Sequence, residues 1–282
     1  LATSPDTASV LKTATQCLAE AGIASAALDA RLLVASVLGI AADDLRLSPP
    51  HPLDHGQVAT INRLIRRRLR REPVSRILGE REFWSLRFAI GRATLDPRPD
   101  SETLVEEVCR RLAPDARASI LDLGTGSGCL LLAILSERIN ATGIGLDRSP
   151  AAVKLARLNA ERLGLADRAK FISGDWATRR LQPADIVISN PPYIATKLLA
   201  GLGPELRYDP KAALDGGNDG LTCYRSITAR LPRLLKQGGF VVFEIGYDQA
   251  NPVAALLKAQ DFTVGPAIRD LAGHDRVLVA QK

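Results

Sequence analysis

One segment constrains the fold more than any other. Asp122-Leu123-Gly124-Thr125-Gly126-Ser127-Gly128 leaves a short apolar run, Ser119 to Leu123, and enters a helical pattern over Cys129 to Glu137. A strand that turns through bare glycines into a helix opens a βα unit, and the missing side chains let a ligand press against the backbone. The same grammar then repeats. Gly143 to Leu146 reads as a strand and Pro150 to Leu163 as a helix, with further strands at Lys170 to Ser173, Asp185 to Ser189, Phe240 to Ile245 and Val277 to Ala280. Strands alternating with helices through short connections predict an α/β fold, a mostly parallel sheet covered on both faces.

The first part of the chain obeys another rule. Val10, Leu11, Ala14, Cys17, Leu18 and Ala21 recur at helical spacing, and Gly22 stops the run. A second helix is expected from near Asp29 to near Gly39. A third carries Val58, Ile61, Leu64, Ile65 and Leu69 on one side and Arg63, Arg66, Arg67 and Arg70 on the other. This predicts a small helical bundle without chemistry of its own. Its basic run, Arg66, Arg67, Arg68, Arg70 and Arg71, is either a solvated helix end beside a favourable dipole or a docking face for an acidic partner; the solvated end is the preferred reading. Phe83, Trp84, Leu86, Phe88 and Ile90 suggest a β-hairpin between the two regions. The expected division is a helical recognition domain over 1–78, a hairpin linker over 79–98 and a catalytic domain over 99–282.

Composition narrows the class. The 282 residues are 46% hydrophobic and 24% charged, as in an ordinary globular protein, and the net charge of +6 is only mildly basic. Four cysteines without close pairs and three scattered histidines offer no zinc or redox spacing, so reduced thiols and no metal are expected. The apolar run Leu32 to Ala42 is far shorter than the ~20 residues a membrane span needs. LATSPDTASV lacks the basic start and apolar stretch of a secretory signal.

The glycine loop is informative through its register with later residues. The next strand ends in Asp147, where a carboxylate can take both hydroxyls of a ribose. The third ends in Gly174-Asp175-Trp176, which offers an indole wall and an acceptor for an adenine amino group. A dinucleotide fingerprint would read G-x-G-x-x-G and receive a pyrophosphate. Here the spacing is G-T-G-S-G with Asp122 before it, which suits a phosphate-free ligand carrying an ammonium group. S-adenosylmethionine meets that description. The expected cofactor residues are Asp122, Gly124, Thr125, Gly126, Ser127, Gly128, Asp147, Asp175, Trp176 and Asn190.

The fourth strand runs directly into Asn190-Pro191-Pro192-Tyr193. Displacement of a methyl group from sulfur is an in-line reaction, so the acceptor nitrogen must aim its lone pair at the methyl carbon. Amide and aromatic amino nitrogens hold that pair in conjugation. A site that accepts both N–H hydrogens aligns the group and pushes density onto nitrogen. The Asn190 oxygen is one acceptor and a carbonyl of the Pro191-Pro192 segment can be the other, since proline supplies no competing N–H. Tyr193 offers a face for a planar group. These four residues are the expected catalytic set.

The chain resembles the PrmC/HemK family, protein-glutamine N-methyltransferases that modify class I peptide chain release factors. The likeness runs through Gly79-Glu80-Arg81-Glu82-Phe83-Trp84, Pro97-Arg98-Pro99-Asp100-Ser101-Glu102, the glycine loop, Asn190 to Tyr193, Ala213-Leu214-Asp215-Gly216-Gly217, Phe243-Glu244-Ile245-Gly246 and Arg276-Val277-Leu278. It implies a class I S-adenosylmethionine methyltransferase with a Rossmann-like seven-stranded sheet and a small N-terminal helical domain that helps hold the release factor. It also implies that the methylated group is the glutamine of a Gly-Gly-Gln loop. The unpaired cysteines point to the cytoplasm, and a monomer is expected. Asp96, before Pro97, departs from the family's commoner apolar residue and puts a charge near the expected cofactor entrance. The rivals are a ribosomal-protein glutamine methyltransferase, a DNA or RNA amino-methyltransferase, and a binding protein without catalysis. A base-reading enzyme needs an added recognition region that ~75 N-terminal residues hardly supply.

Overall fold

The computed structural model describes residues 5–47 and 49–282. The chain forms two units, Leu1–Gly79 and Glu80–Lys282.

The first unit is helical: α1 (Thr7–Glu20), α2 (Ala26–Leu38), α3 (Ala42–Leu47), α4 (His55–Leu69) and α5 (Val74–Leu78). Asp6 caps α1 by accepting the Ser9 N–H at 2.8 Å, and Asp54 with Gln57 forms a capping box on α4. Leu18, Leu33, Val34, Leu53 and Ile61 fill the core. The arginines at the end of α4 are spent inside this unit. Arg68 pairs with buried Asp29 of α2 at 2.7 Å, Arg67 with Glu72 at 2.6 Å, and Arg71 donates to the Ala21 carbonyl at 2.7 Å. Three of the five arginines therefore tie α4 to neighbouring segments, a use that a charge run read in one dimension does not reveal.

The second unit begins with a hairpin, β1 (Glu80–Phe83) and β2 (Leu86–Ala89), joined by Trp84 and Ser85. Both turn residues are left-handed, at φ 53° and 56°. That twist matches a two-residue hairpin but is unfavourable for side chains bearing a Cβ. Compensation comes from Glu102, whose carboxylate accepts the Trp84 N–H at 2.8 Å, and from Glu137, which accepts the indole N–H at 2.9 Å. Phe83 and Phe88 meet edge-on at 6.3 Å in the core of the second unit. The hairpin thus packs as part of that unit.

The sheet is built from β3 (Ser119–Leu123), β4 (Thr142–Asp147), β5 (Ala169–Ser173), β6 (Ala184–Ser189), β7 (Leu235–Glu244), β8 (Thr263–Val264), β9 (Ile268–Arg269) and β10 (Asp275–Gln281). Its order is β5-β4-β3-β6-β7-β10-β8, with β9 also paired to β10. The first five strands run parallel and β10 lies antiparallel to β7. Helices α6 (Glu102–Arg111), α7 (Cys129–Glu137) and α8 (Pro150–Arg162) share one apolar cluster with the sheet. The other cluster takes α9 (Thr222–Thr228), α10 (Leu231–Leu234) and α11 (Ala250–Lys258). Winding runs outward from β3 to β4 and β5, then resumes on the other side at β6. The reversal opens a crevice at the carboxyl ends of β3 and β6, the place where open α/β sheets bind ligands.

Gly145 of β4 supports that crevice from below. A Cβ there would stand 2.4 Å from Phe171 Cδ1 and 2.7 Å from Thr125 Oγ1. Gly145→Ala is expected to lower stability by about 1–3 kcal/mol through overpacking, read from urea unfolding midpoints at unchanged m-value.

Candidate active site

The glycine loop is pinned to the neighbouring strand before it turns. Gly124 and Thr125 both donate their N–H to the Leu146 carbonyl, at 2.8 and 3.0 Å. Gly124, Gly126 and Gly128 then adopt φ values of 79°, 55° and 81°, a sequence of left-handed turns open to glycine. They serve different ends. A Cβ on Gly124 would lie 3.3 Å from the indole of Trp176, so that indole lies close over bare backbone. A Cβ on Gly128 would meet Phe171 at 3.0 Å and Ala156 at 3.2 Å, so this glycine brings α7 close to the core.

A cavity of about 300 Å³ opens above the loop. Gly124, Thr125, Gly126, Ser127, Asp147, Trp176, Asn190 and Pro192 are all in its wall. Asp147 is held there by two backbone groups, the Gly126 N–H at 2.9 Å and the Ser149 N–H at 2.8 Å. Each oxygen keeps acceptor capacity for a further donor.

Five of the expected residues are not in the wall. Asp122 is fully buried under the loop, where it accepts the Thr125 hydroxyl at 2.6 Å. Its other oxygen accepts no hydrogen bond among the described residues. Burial pushes this carboxyl up to about 7, against the Thr125 hydrogen bond and helped by the charge of Asp147. Gly128 faces the core. Asp175 is exposed and turned onto the Ala177 N–H at 2.8 Å, a local turn that leaves it outside while Trp176 points inward. Pro191 is buried. Tyr193 packs against the second apolar cluster, and burial pushes its hydroxyl up to about 12, with the nearby charge of Glu244 adding to the shift.

Because β6 is the strand next to β3, Asn190 emerges beside the glycine loop. Its Nδ2 donates to the buried Ser101 hydroxyl at 3.3 Å, which leaves Oδ1 for the cavity. Among the described residues, the carbonyls of Pro191 and Pro192 accept no hydrogen bond. The next two residues are fixed. The Tyr193 carbonyl accepts from Gln249 Nε2 at 3.0 Å, and Ile194 is bracketed by the Leu214 carbonyl and the Gly216 N–H. The arrangement can therefore present two free acceptors on a rigid turn.

Sequence reasoning left three groups without a role. Ser101 anchors Asn190. Asp209 receives Arg98 at 2.5 Å and the Asp96 N–H at 3.1 Å, joining the segment before α6 to the loop beyond Tyr193. Asp96 itself is buried there. Glu244 lies behind Asn190. The motifs Pro97 to Glu102 and Phe243 to Gly246 flagged these places, but contacts 89 or 111 residues apart in sequence carry no local signal.

The cavity fits S-adenosylmethionine. Bare glycine backbone lies opposite an indole, a carboxylate closes the end of β4, and two acids beside the loop would oppose a pyrophosphate. The start of α7 has no side-chain cap, and Cys129 and Leu130 line the wall there. Such a terminus favours a carboxylate.

A family described as a methyltransferase domain matches residues 92–273. A methyltransferase from Pyrococcus furiosus, 15% identical, superposes with a TM-score of 0.52 over 70% of this chain and 89% of its own. Sheet, crevice and match together define a class I S-adenosylmethionine-dependent methyltransferase with an additional helical unit. That unit matches the PrmC N-terminal domain over residues 9–79. The release factor glutamine methyltransferase of Caulobacter vibrioides is 43% identical over 94% of this chain and 92% of its own length. That of Rhodospirillum rubrum is 46% identical over 93% and 81%. The chain belongs to the release factor glutamine methyltransferase family.

Asp147→Ala removes an acceptor aimed into the cavity and loosens Gly126. Cofactor affinity, measured by calorimetry, is expected to fall at least about tenfold, from the loss of charge-assisted hydrogen bonds worth ~1.5–3 kcal/mol.

Proposed function

We propose that this chain transfers the methyl group of S-adenosylmethionine to the side-chain amide nitrogen of the glutamine in the Gly-Gly-Gln motif of class I peptide chain release factors. One observation carries the reading: Asn190 lines the cavity one strand away from the glycine loop, and its nitrogen is tied to Ser101, so its oxygen is the end left for a ligand. The bound cofactor supplies a methyl carbon on a positively charged sulfur. Asn190 Oδ1 and a carbonyl of the Pro191-Pro192 turn accept the two N–H hydrogens of the glutamine amide. This holds the amide plane and directs the nitrogen lone pair. The same hydrogen bonds raise the electron density on nitrogen, so no separate base has to remove a proton first. The extra proton leaves once nitrogen carries the methyl group. Tyr193 steadies the turn from its apolar side.

In this reading Gly124 to Ser127, Asp147 and Trp176 hold the cofactor, and the helical unit helps to engage the release factor. The enzyme acts in the cytoplasm, where translation factors work, and as a monomer. No helix among the described residues is long and apolar enough to cross a membrane.

The test is competitive. Radiolabelled S-adenosylmethionine is offered with a class I release factor, ribosomal proteins, DNA and RNA, and labelled species are mapped. Label on the Gly-Gly-Gln glutamine supports the reading; label on nucleic acid or a ribosomal protein alone overturns it. Asn190→Ala is expected to lower kcat about 10²–10³-fold with cofactor affinity little changed. Loss of one preorganised transition-state contact costs about 3–4 kcal/mol. Turnover comparable with wild type would remove the clamp.

A further inference from the structure

Behind Asn190 lies an acid that the chemistry above does not use. Glu244 ends β7, the strand next to β6, and is 1% exposed. Its Oε2 accepts no hydrogen bond among the described residues. Its backbone is committed, since the carbonyl accepts the Tyr224 hydroxyl at 2.7 Å and the residue pairs with Val277 of β10. Ser189 of β6 pairs with Phe243 of β7, so the next residues, Asn190 and Glu244, are lateral neighbours, and the Ser101 hydroxyl that holds the Asn190 nitrogen joins them. Glu244 itself is absent from the cavity wall, so it can act on a ligand only through those two side chains.

We propose that Glu244 is a positioning residue whose carboxylate holds the Asn190 amide with its nitrogen inward and its oxygen toward the substrate amide. The inference rests on Asn190 being the clamp. An amide is nearly symmetric in shape and opposite in polarity at its two ends. Against an ionised carboxylate, the flipped amide would set oxygen on oxygen. Against a protonated one, the acid O–H can donate to Oδ1, and the flipped amide would present N–H to the N–H of the substrate.

The surroundings put that switch in an accessible range. Burial pushes the Glu244 carboxyl up to about 7; hydrogen bonds from Ser101 and Asn190 and the charge of Arg276 oppose the shift, and Asp100 reinforces it. Arg276, from β10, is itself paired with Asp270 at 3.1 Å and Asp100 at 3.3 Å. Burial raises Tyr193, Tyr224 and Cys129, and the charge of Glu244 adds to each shift, so they stay neutral. Glu244 therefore ionises as pH rises through about 7, so the clamp is set above that value and released below it.

The experiment measures kcat for wild type and Glu244→Gln between pH 6 and 8.5 with saturating cofactor and release factor. Wild-type kcat is expected to fall about tenfold per unit on the acid side of neutrality. Glutamine keeps the shape but offers either a donor or an acceptor, so E244Q is expected to lose about ten- to hundredfold in kcat at pH 8. It should also lose the acid limb while binding S-adenosylmethionine within about twofold of wild type. A wild-type profile flat across neutrality overturns the proposal, as does E244Q with wild-type turnover or with an unchanged limb. The Asn190 side-chain NH2 resonances, monitored by NMR in cofactor-saturated protein, read the clamp without a substrate. They should titrate through neutrality in wild type, and silence there overturns the proposal even if E244Q does not fold. A wild type inactive on release factor with titrating resonances sinks the substrate assignment and leaves the clamp standing.

Discussion

The site depends on one adjacency, the hydrogen-bonded pairing of β3 with β6. Parallel neighbours lie about 4.8 Å apart, so whatever leaves their carboxyl ends is delivered to the same few ångströms. From β3 comes the glycine loop, and from β6 comes Asn190. The reversal of winding between these strands keeps helices from covering the gap. A donor cradle and an acceptor clamp on separate loops would each have to be ordered separately. Here the sheet orders both, and its ladder is buried between two apolar clusters.

Behind each half of the site stands a buried acid. Asp122 lies under the glycine loop and Glu244 behind Asn190. Each is pushed up to about 7 by burial, and each has one oxygen without a hydrogen bond among the described residues. Buried carboxyls with unused acceptors are costly, and they persist where they orient something. Asp122 fixes the Thr125 hydroxyl at the start of the loop. Glu244 faces the amide that must keep its polarity. The two acids that burial pushes up thus lie one layer back from the cavity, whose wall offers glycine backbone, an indole, an amide and the Asp147 carboxylate.

Much of this is legible in the sequence, for identifiable reasons. The strands β3 to β6 are short apolar runs ended by polar signals, so period and punctuation agree. The beginning of β7 is not legible, because Lys236-Gln237-Gly238-Gly239 reads as a turn although Leu235–Glu244 forms one strand. Helix α6 packs Leu104, Val105 and Val108 against the sheet, but its ten residues come directly after Pro97 and Pro99, which punctuate like a loop. Asp175 is expected beside the cofactor as the acceptor for an adenine amino group, with Trp176 next to it as the indole wall. A strand end gives successive side chains opposite directions, and only one of the two could face inward. The arginine run of α4 shows the same limit. Its charges are visible in the sequence, and the partners that consume Arg67, Arg68 and Arg71 are not.

The clamp position asks for a residue with two faces. Toward the interior, the Glu244 carboxylate and the Ser101 hydroxyl require a donor. Toward the cavity, the two hydrogens of an amide nitrogen require an acceptor. Aspartate would meet the second demand while setting a carboxylate against Glu244 in a buried region, where like charges cannot both ionise. A hydroxyl residue can donate and accept but does not reach as far or hold a plane. Glutamine has the right polarity and one more rotatable bond, which a rigid clamp must freeze at a cost in entropy. Asparagine alone offers donor and acceptor on a short planar group, and Pro191 after it holds the backbone φ where that group is needed. The identity of residue 190 is therefore decided as much by the acid behind it as by the substrate in front.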